Sequence, residues 1–123
     1  MREERRRWVR VRARLLTFVK SLKTGQVQRT LTKDISGGGV CILSEESFQQ
    51  GEELEVQIKL PDREQPLAFK AGVSWVRLLK AASKSYKDST FEIGMQFTAI
   101  DPKVHALMMQ YAMMNALPPG AEG

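Results

Sequence analysis

The sequence predicts a mainly-β domain in which six strands form an antiparallel barrel or sandwich and one α-helix follows at the C-terminal end. Apolar and polar residues alternate in six separate segments, and residues typical of turns interrupt the chain between most of them. The final apolar segment changes its spacing to three and four residues, which indicates a helix. With 123 residues, 42% of them hydrophobic, the chain has the size of one domain and enough apolar side chains to bury a core.

The six alternating segments follow one another along most of the chain. They cover about residues 9–19, 27–35, 40–43, 53–60, 67–75 and 91–97. The fourth segment has the clearest pattern, with an aliphatic side chain at every second position. Between the second and third segments, three consecutive glycines at 37–39 indicate unusual backbone geometry. A polar loop at 80–89 is expected to separate the last two strands.

The first segment is also where the net charge of the chain is concentrated. The first fourteen residues hold seven arginines and two glutamates, so this stretch alone accounts for the net charge of +5. Alternation places Arg10, Arg12 and Arg14 on the face opposite the apolar side chains. The stretch could be a solvated basic tail or, because it leads into a strand that restrains it, a site for a compact anion.

An amphipathic helix is predicted at about residues 101–116. Its apolar positions are Val104, Leu107, Met108, Tyr111 and Met114. Asp101 is suited to the N-cap and Pro102 to the first helical turn, and two prolines at the start of the tail 118–123 prevent continuation. We expect the helix to pack against one end of the barrel, although its methionines could also form a partner-binding face. The tail itself is expected to be loose.

Several classes of function have little support in the composition. The chain has one histidine, His105, and one cysteine, Cys41, so a metal site built from such residues and an internal disulfide are not expected. Cys41 lies in the apolar stretch VCIL and is predicted to be a buried small hydrophobe, whereas His105 is predicted to be a partly exposed helix residue. No nucleophile and base pair is suggested. We therefore expect neither an enzyme nor a cofactor.

A membrane location is not expected either. The sequence lacks a run of about eighteen uncharged apolar residues and an apolar stretch of the kind found in a secretory signal. The expectation is a cytoplasmic protein without membrane insertion.

Two short motifs in these segments resemble the signatures of the PilZ domain family. The motifs are RxxxR and DxSxxG, and their fixed positions are Arg6 and Arg10 in the first and Asp34, Ser36 and Gly39 in the second. Both occur in this order on a pattern of six strands with a trailing helix, and the resemblance covers about residues 4–115. It implies a six-stranded antiparallel β-barrel with a C-terminal α-helix, and binding of the bacterial second messenger cyclic di-GMP.

The residue types at these positions are suited to that ligand. The guanidinium groups of Arg6 and Arg10 can bond phosphate oxygens or the O6 and N7 edge of guanine. The carboxylate of Asp34 can accept the N1–H and N2–H groups of guanine, and Ser36 offers a hydroxyl beside it. Glycine at position 39 would let the ligand approach the backbone.

The resemblance also leads to a division of the chain and a mode of action. Residues 1–8 are expected to be a flexible arm, and residues 9–117 the barrel and helix. Ligand binding would order the arm over the barrel and create a surface for a separate protein partner in motility, attachment or polysaccharide export. Arg5, next to the motif, suggests that two stacked cyclic di-GMP molecules bind per chain. Trp8 could stack on a base or anchor the arm, and both interpretations stay open.

Two alternatives remain at this point. The chain could be an adaptor of the same family that contacts a protein through the methionine-bearing helix and does not depend on cyclic di-GMP. It could also be a small basic barrel that binds nucleic acid, for which aromatic side chains on the outer face are needed. Nucleic acid is not expected, because Phe69, Trp75, Phe91 and Phe97 are all predicted to face the interior.

Overall fold

A computed structural model of the chain describes residues 10–80 and 90–115. Within these residues the chain forms seven β-strands and one α-helix. They are β1 (Val11–Arg12), β2 (Leu16–Ser21), β3 (Val27–Ile35), β4 (Gly39–Ser44), β5 (Glu53–Lys59), β6 (Leu67–Lys80), β7 (Thr90–Ala99) and α1 (Pro102–Met114). The predicted arm at 1–8 and tail at 118–123 lie outside the described residues.

The strands close into an antiparallel barrel. Six of them are neighbours in the order β3, β2, β5, β6, β7 and β4, and pairing between β3 and β4 completes the ring. The additional short strand β1 pairs with the end of β3. This confirms the predicted six-stranded antiparallel barrel with a C-terminal helix.

The predicted first strand differs from the structure in one respect, because it is interrupted. Val11 pairs with Ile35, but Leu16 pairs with Leu31, so the register against β3 shifts by one residue between β1 and β2. The backbone N–H of Leu15 donates to Thr32 Oγ1 at 2.8 Å, and the same hydroxyl donates to the carbonyl of Ala13. A buried threonine side chain therefore joins the two sides of this interruption, beside the backbone bonds from Ala13 N–H to Lys33 and from Thr32 N–H to Leu15.

The predicted faces of the first strand are confirmed where the structure describes them. Side chains at 11, 13, 15, 17 and 19 are buried, and Arg10, Arg12 and Arg14 are exposed. The period of two residues thus persists through the interruption, which keeps the arginines on the outer face.

The core is formed by the inward positions of all seven strands. Its fully buried aliphatic side chains include Ile35, Ile42, Leu54, Val56, Ile58 and Ile93. Burial of each such side chain contributes about 1.5–3 kcal/mol relative to exposure. The strict alternation in β5 places one such residue at every second position, as predicted.

Strand β6 is longer than predicted and turns one aromatic side chain outward. Val73 pairs with Met95 and Trp75 pairs with Gly94, so Ser74 is an extra residue in β6. Gly94 lies between the core residues Ile93 and Met95 and therefore faces outward, as does its partner Trp75. The predicted inward orientation of Trp75 is wrong.

The predicted loop at 80–89 begins later, because Lys80 still belongs to β6. Residues 81–89 lie outside the described part of the chain.

The helix α1 packs against β1 and β6. Asp101 is its N-cap and accepts the backbone N–H of Lys103 at 2.7 Å, as predicted for this position. Met108 and Ala112 are completely buried, whereas Met114 is 76% exposed. The predicted apolar face is therefore correct except at Met114.

Among the described residues, no helix combines the length and the apolar character needed to cross a membrane.

Candidate functional site

The described residues of the two motifs come together on the outer face of the barrel. Arg10 directly precedes β1, and Asp34 lies near the end of β3, where it pairs with Arg12. The guanidinium Nη1 of Arg10 lies 3.8 Å from Oδ1 of Asp34. The side chain of Arg10 is 63% exposed and that of Asp34 is 14% exposed. Arg5 and Arg6 lie outside the described residues.

This ion pair is long and solvated on the arginine side. Because the guanidinium is mostly exposed and the two atoms are 3.8 Å apart, this contact is weak. The Arg10 guanidinium can therefore exchange its contact with Asp34 for a contact with an incoming anion at small cost.

Ser36 organises the turn between β3 and β4. Its backbone N–H donates to the carbonyl of Gly39 at 2.9 Å, and its hydroxyl donates to the same oxygen at 3.3 Å. The backbone N–H of Gly38 in turn donates to Ser36 Oγ at 3.3 Å. The side chain that was expected to face a ligand thus also holds the turn of the second motif.

The three glycines of this turn do not adopt left-handed backbone. Among the glycines that the structure describes, positive φ values occur at Gly25 and Gly51. The unusual backbone geometry predicted at 37–39 is therefore not a left-handed one.

Gly39 is required for a reason that the sequence argument missed. A Cβ atom at this position would lie 1.8 Å from the carbonyl oxygen of Met95 on the neighbouring strand β7. Sequence reasoning assigned the missing side chain to ligand approach, whereas the structure gives a packing reason: β4 and β7 pass too close for any other residue.

His105 connects the helix to this turn. Its Nε2 lies 3.0 Å from the carbonyl oxygen of Gly37, and its ring contacts Phe97 edge to face at a centroid distance of 5.5 Å. The histidine is half-buried, in agreement with the prediction of partial exposure. Its contact with the second motif was missed, because nothing local in the sequence connects two residues 68 positions apart.

A row of paired residues crosses the outer face beside the turn. Its members are Arg12, Asp34, Cys41, Gly94 and Trp75, each paired with the next on the neighbouring strand. We call it the outer-face row. Two small residues therefore lie in the middle, with charged side chains at one end and an indole at the other. The indole lies directly on Gly94, since a Cβ there would be 2.1 Å from Trp75 Cε2.

Cys41 is buried within this row, as predicted. It is 2% exposed. Burial raises the pKa of its thiol to about 12, and the charges of Asp34 and Glu92 act in the same direction. The thiol is therefore protonated at neutral pH and is a poor nucleophile.

A buried carboxylate lies next to the outer-face row. Glu92 is 2% exposed and forms ion pairs with Lys33 and Arg77. Burial opposes its ionisation, but the hydrogen bonds and charges of Lys33 and Arg77 outweigh burial and hold the pKa of Glu92 below its ordinary value. Glu92 thus fixes two cations on the outer face near Asp34 and Trp75.

Comparison with known proteins agrees with the barrel fold described above. A model of the PilZ domain family matches residues 4–113. A comparison with curated protein sequences gave no significant match.

Three solved structures illustrate the similarity. The inhibitor of motility MotI/DgrA from Bacillus subtilis has 25% sequence identity and a TM-score of 0.65, with 87% of this chain and 49% of that chain covered. The PilZ domain of YcgR from Escherichia coli, solved with c-di-GMP, has 18% identity and a TM-score of 0.70, covering 89% and 90%. The complex of K. pneumonia MrkH with c-di-GMP has 17% identity and a TM-score of 0.69, covering 88% and 50%. The chain therefore spans about half the length of MotI and MrkH, and its likeness to YcgR and MrkH is one of fold.

Proposed function

The chain belongs to the PilZ domain family, and from this premise we propose that it is an adaptor that binds cyclic di-GMP on the outer face of the barrel. The proposal depends mainly on one observation. Arg10 from the first motif and Asp34 from the second lie 3.8 Å apart, beside the turn that Ser36 holds. Members of this family are binding proteins and adaptors, so the proposed function involves no catalysed reaction.

The two side chains have complementary roles in this proposal. Arg10 binds a phosphate of the ligand, for which a planar guanidinium provides paired donors. Asp34 accepts the N1–H and N2–H groups of a guanine through its carboxylate oxygens. Ser36 and Gly39 shape the turn against which the base lies.

The charge of the surrounding face favours a compact anion. Arg10, Arg12, Lys33 and Arg77 face outward in this region, whereas Asp34 and Glu92 are its acidic groups. The excess of cations is suited to the two phosphates of cyclic di-GMP. The presence of c-di-GMP in the YcgR and MrkH structures supports the same ligand class.

The N-terminal arm at 1–8 completes the proposed site. Arg5 and Arg6 close over a ligand held by the outer-face row, and Arg5 allows a stacked pair of cyclic di-GMP molecules to bind. The ordered arm and the ligand then form a surface for a separate protein partner. Motility is one proposed output, since MotI is an inhibitor of motility. Because the ligand is an intracellular messenger, we place this function in the cytoplasm.

The test is calorimetry of the full chain with cyclic di-GMP. Arg10→Ala and Asp34→Ala should each weaken binding about tenfold or more, because each removes a charge-assisted hydrogen bond. Arg29→Ala is the matched control, since Arg29 is an exposed arginine on the same strand as Asp34 and lies outside both motifs. Asp34→Ala should also reduce the preference for guanine over adenine cyclic dinucleotides. Normal binding by either motif variant would contradict the site.

One observation favours a second candidate function. Trp75 lies on the outer face beside Arg77, so the aromatic argument against nucleic-acid binding fails for this residue, although Phe69, Phe91 and Phe97 do pack inward. Single-stranded DNA titrated at rising salt separates the candidates. A steep loss of affinity with salt and no preference for cyclic di-GMP would favour nucleic acid.

A further inference from the structure

The turn of the second motif is held from two other elements of the fold. His105 on α1 contacts the carbonyl of Gly37 at 3.0 Å, and the backbone N–H of Phe97 on β7 donates to the carbonyl of Gly38 at 3.0 Å. The carbonyl of Gly39 accepts the N–H of Ser36 at 2.9 Å. Each of the three consecutive glycine carbonyls therefore has a donor.

These donors matter because the glycines do not define the turn by themselves. A glycine has more backbone freedom to lose than any other residue, so ordering three in succession is entropically costly. None of the three adopts a left-handed conformation, so this geometry does not select the turn. Its conformation depends on hydrogen bonds, those of Ser36 within the turn and those of His105 and Phe97 from outside it.

The hydrogen bond between His105 and Gly37 has a defined donor. A carbonyl oxygen can only accept, so Nε2 must carry the proton that is shared with Gly37. The neutral Nε2–H tautomer and the imidazolium both satisfy this requirement. The edge-to-face contact with Phe97 orients the ring toward the turn.

We propose that His105 is a positioning residue for the ligand site, which pre-organises the glycine turn and couples helix α1 to ligand occupancy. This rests on the proposed binding of cyclic di-GMP. If the turn must have its bound conformation for the ligand to bind, a donor that holds it in the free protein reduces the cost of binding. By linkage, the bound ligand stabilises the contact between α1 and the turn.

The helix can be expected to remain docked without this contact. Met108 and Ala112 anchor α1 in the core and are both completely buried. Loss of the His105 hydrogen bond can therefore change the turn without undocking the helix, and variants at this position should fold.

The test compares two substitutions in the full chain. His105→Phe keeps an aromatic ring against Phe97 but removes the donor, and His105→Gln keeps a donor at similar reach. Gln110→Ala is the control, since Gln110 is an exposed residue of the same helix. In calorimetry with cyclic di-GMP, His105→Phe should bind about tenfold more weakly than wild type, while His105→Gln and the control should stay within about threefold.

Amide hydrogen exchange provides a measurement that does not depend on the ligand. In the ligand-free protein, the amides of Gly38 and Gly39 should exchange faster in His105→Phe than in wild type, with the global unfolding midpoint little changed. Wild-type affinity and unchanged exchange in His105→Phe would overturn the proposal, as would a His105→Gln variant as weak as His105→Phe. If the wild type itself fails to bind cyclic di-GMP, the proposed function fails, and exchange still decides whether His105 orders the turn.

Discussion

At Gly39 the strands β4 and β7 approach so closely that a single methyl group has no room. The hypothetical Cβ lies 1.8 Å from a backbone carbonyl, which cannot move aside as a flexible side chain can. The last position of the DxSxxG motif is therefore required by the barrel itself. A glycine at this position is evidence of the fold as much as of the ligand.

Gly39→Ala should consequently destabilise the fold, by about 1–3 kcal/mol, the usual range for overpacking in a closely packed region. Gly72→Ala is a matched control in β6, because its added Cβ would meet Thr98 Cγ2 at an ordinary 3.5 Å. The free energies of unfolding in urea measure both effects. Equal stability of the two variants would contradict the packing reason.

At the scale of elements, Glu92 joins three strands. It lies on β7, and its partners Lys33 and Arg77 lie on β3 and β6. The ion pairs keep its pKa low, so folding favours the ionised form. Its contribution to stability is present above the pKa that Glu92 has in the unfolded chain and is lost as the pH falls through the lower pKa of the folded state.

Glu92→Gln should therefore lower the free energy of unfolding at pH 7 by about 1–3 kcal/mol. The expected loss of stability is not larger than this, because Arg77 is 62% exposed and water solvates its charge. Between pH 7 and pH 3 the wild type should lose more stability than the variant, since the variant lacks the titrating group. Parallel pH profiles would contradict the role of Glu92.

At the same scale, some strand faces were predicted correctly from the sequence and one was not. Alternation correctly predicted the strands and the inward faces of β2, β5 and β7, because it reflects burial of every second side chain. It failed at Trp75, because the extra residue Ser74 reverses the pattern. Bulges depend on how a strand pairs with its neighbours, and pairing is not visible in one segment alone.

At the scale of the whole molecule, the proposed site joins regions far apart in the chain. The arm at 1–8, the turn after β3 and the helix α1 all belong to it in our proposals. Ligand binding would therefore order one terminal segment and stabilise another. A partner protein could recognise either the ordered arm or the stabilised helix.

The number of ligands bound per chain tests the role that we propose for the arm at 1–8. Calorimetry should give two cyclic di-GMP molecules per chain for wild type and one for Arg5→Ala, because Arg5 is proposed to help neutralise the phosphates of a stacked pair. Ligand should also slow tryptic cleavage within residues 1–8, detected by mass spectrometry. A single ligand per wild-type chain at saturation would remove the proposal of a stacked pair.

The sequence by itself determined the strand pattern, the C-terminal helix and the two motifs, since these are periodic or short and involve neighbours along the chain. Tertiary structure decided the distance between Arg10 and Asp34, the outward position of Trp75 and the contact between His105 and Gly37. These features depend on register and on packing between elements distant in sequence. Local residue preferences contain no information about them, because pairing between strands and docking of the helix decide them.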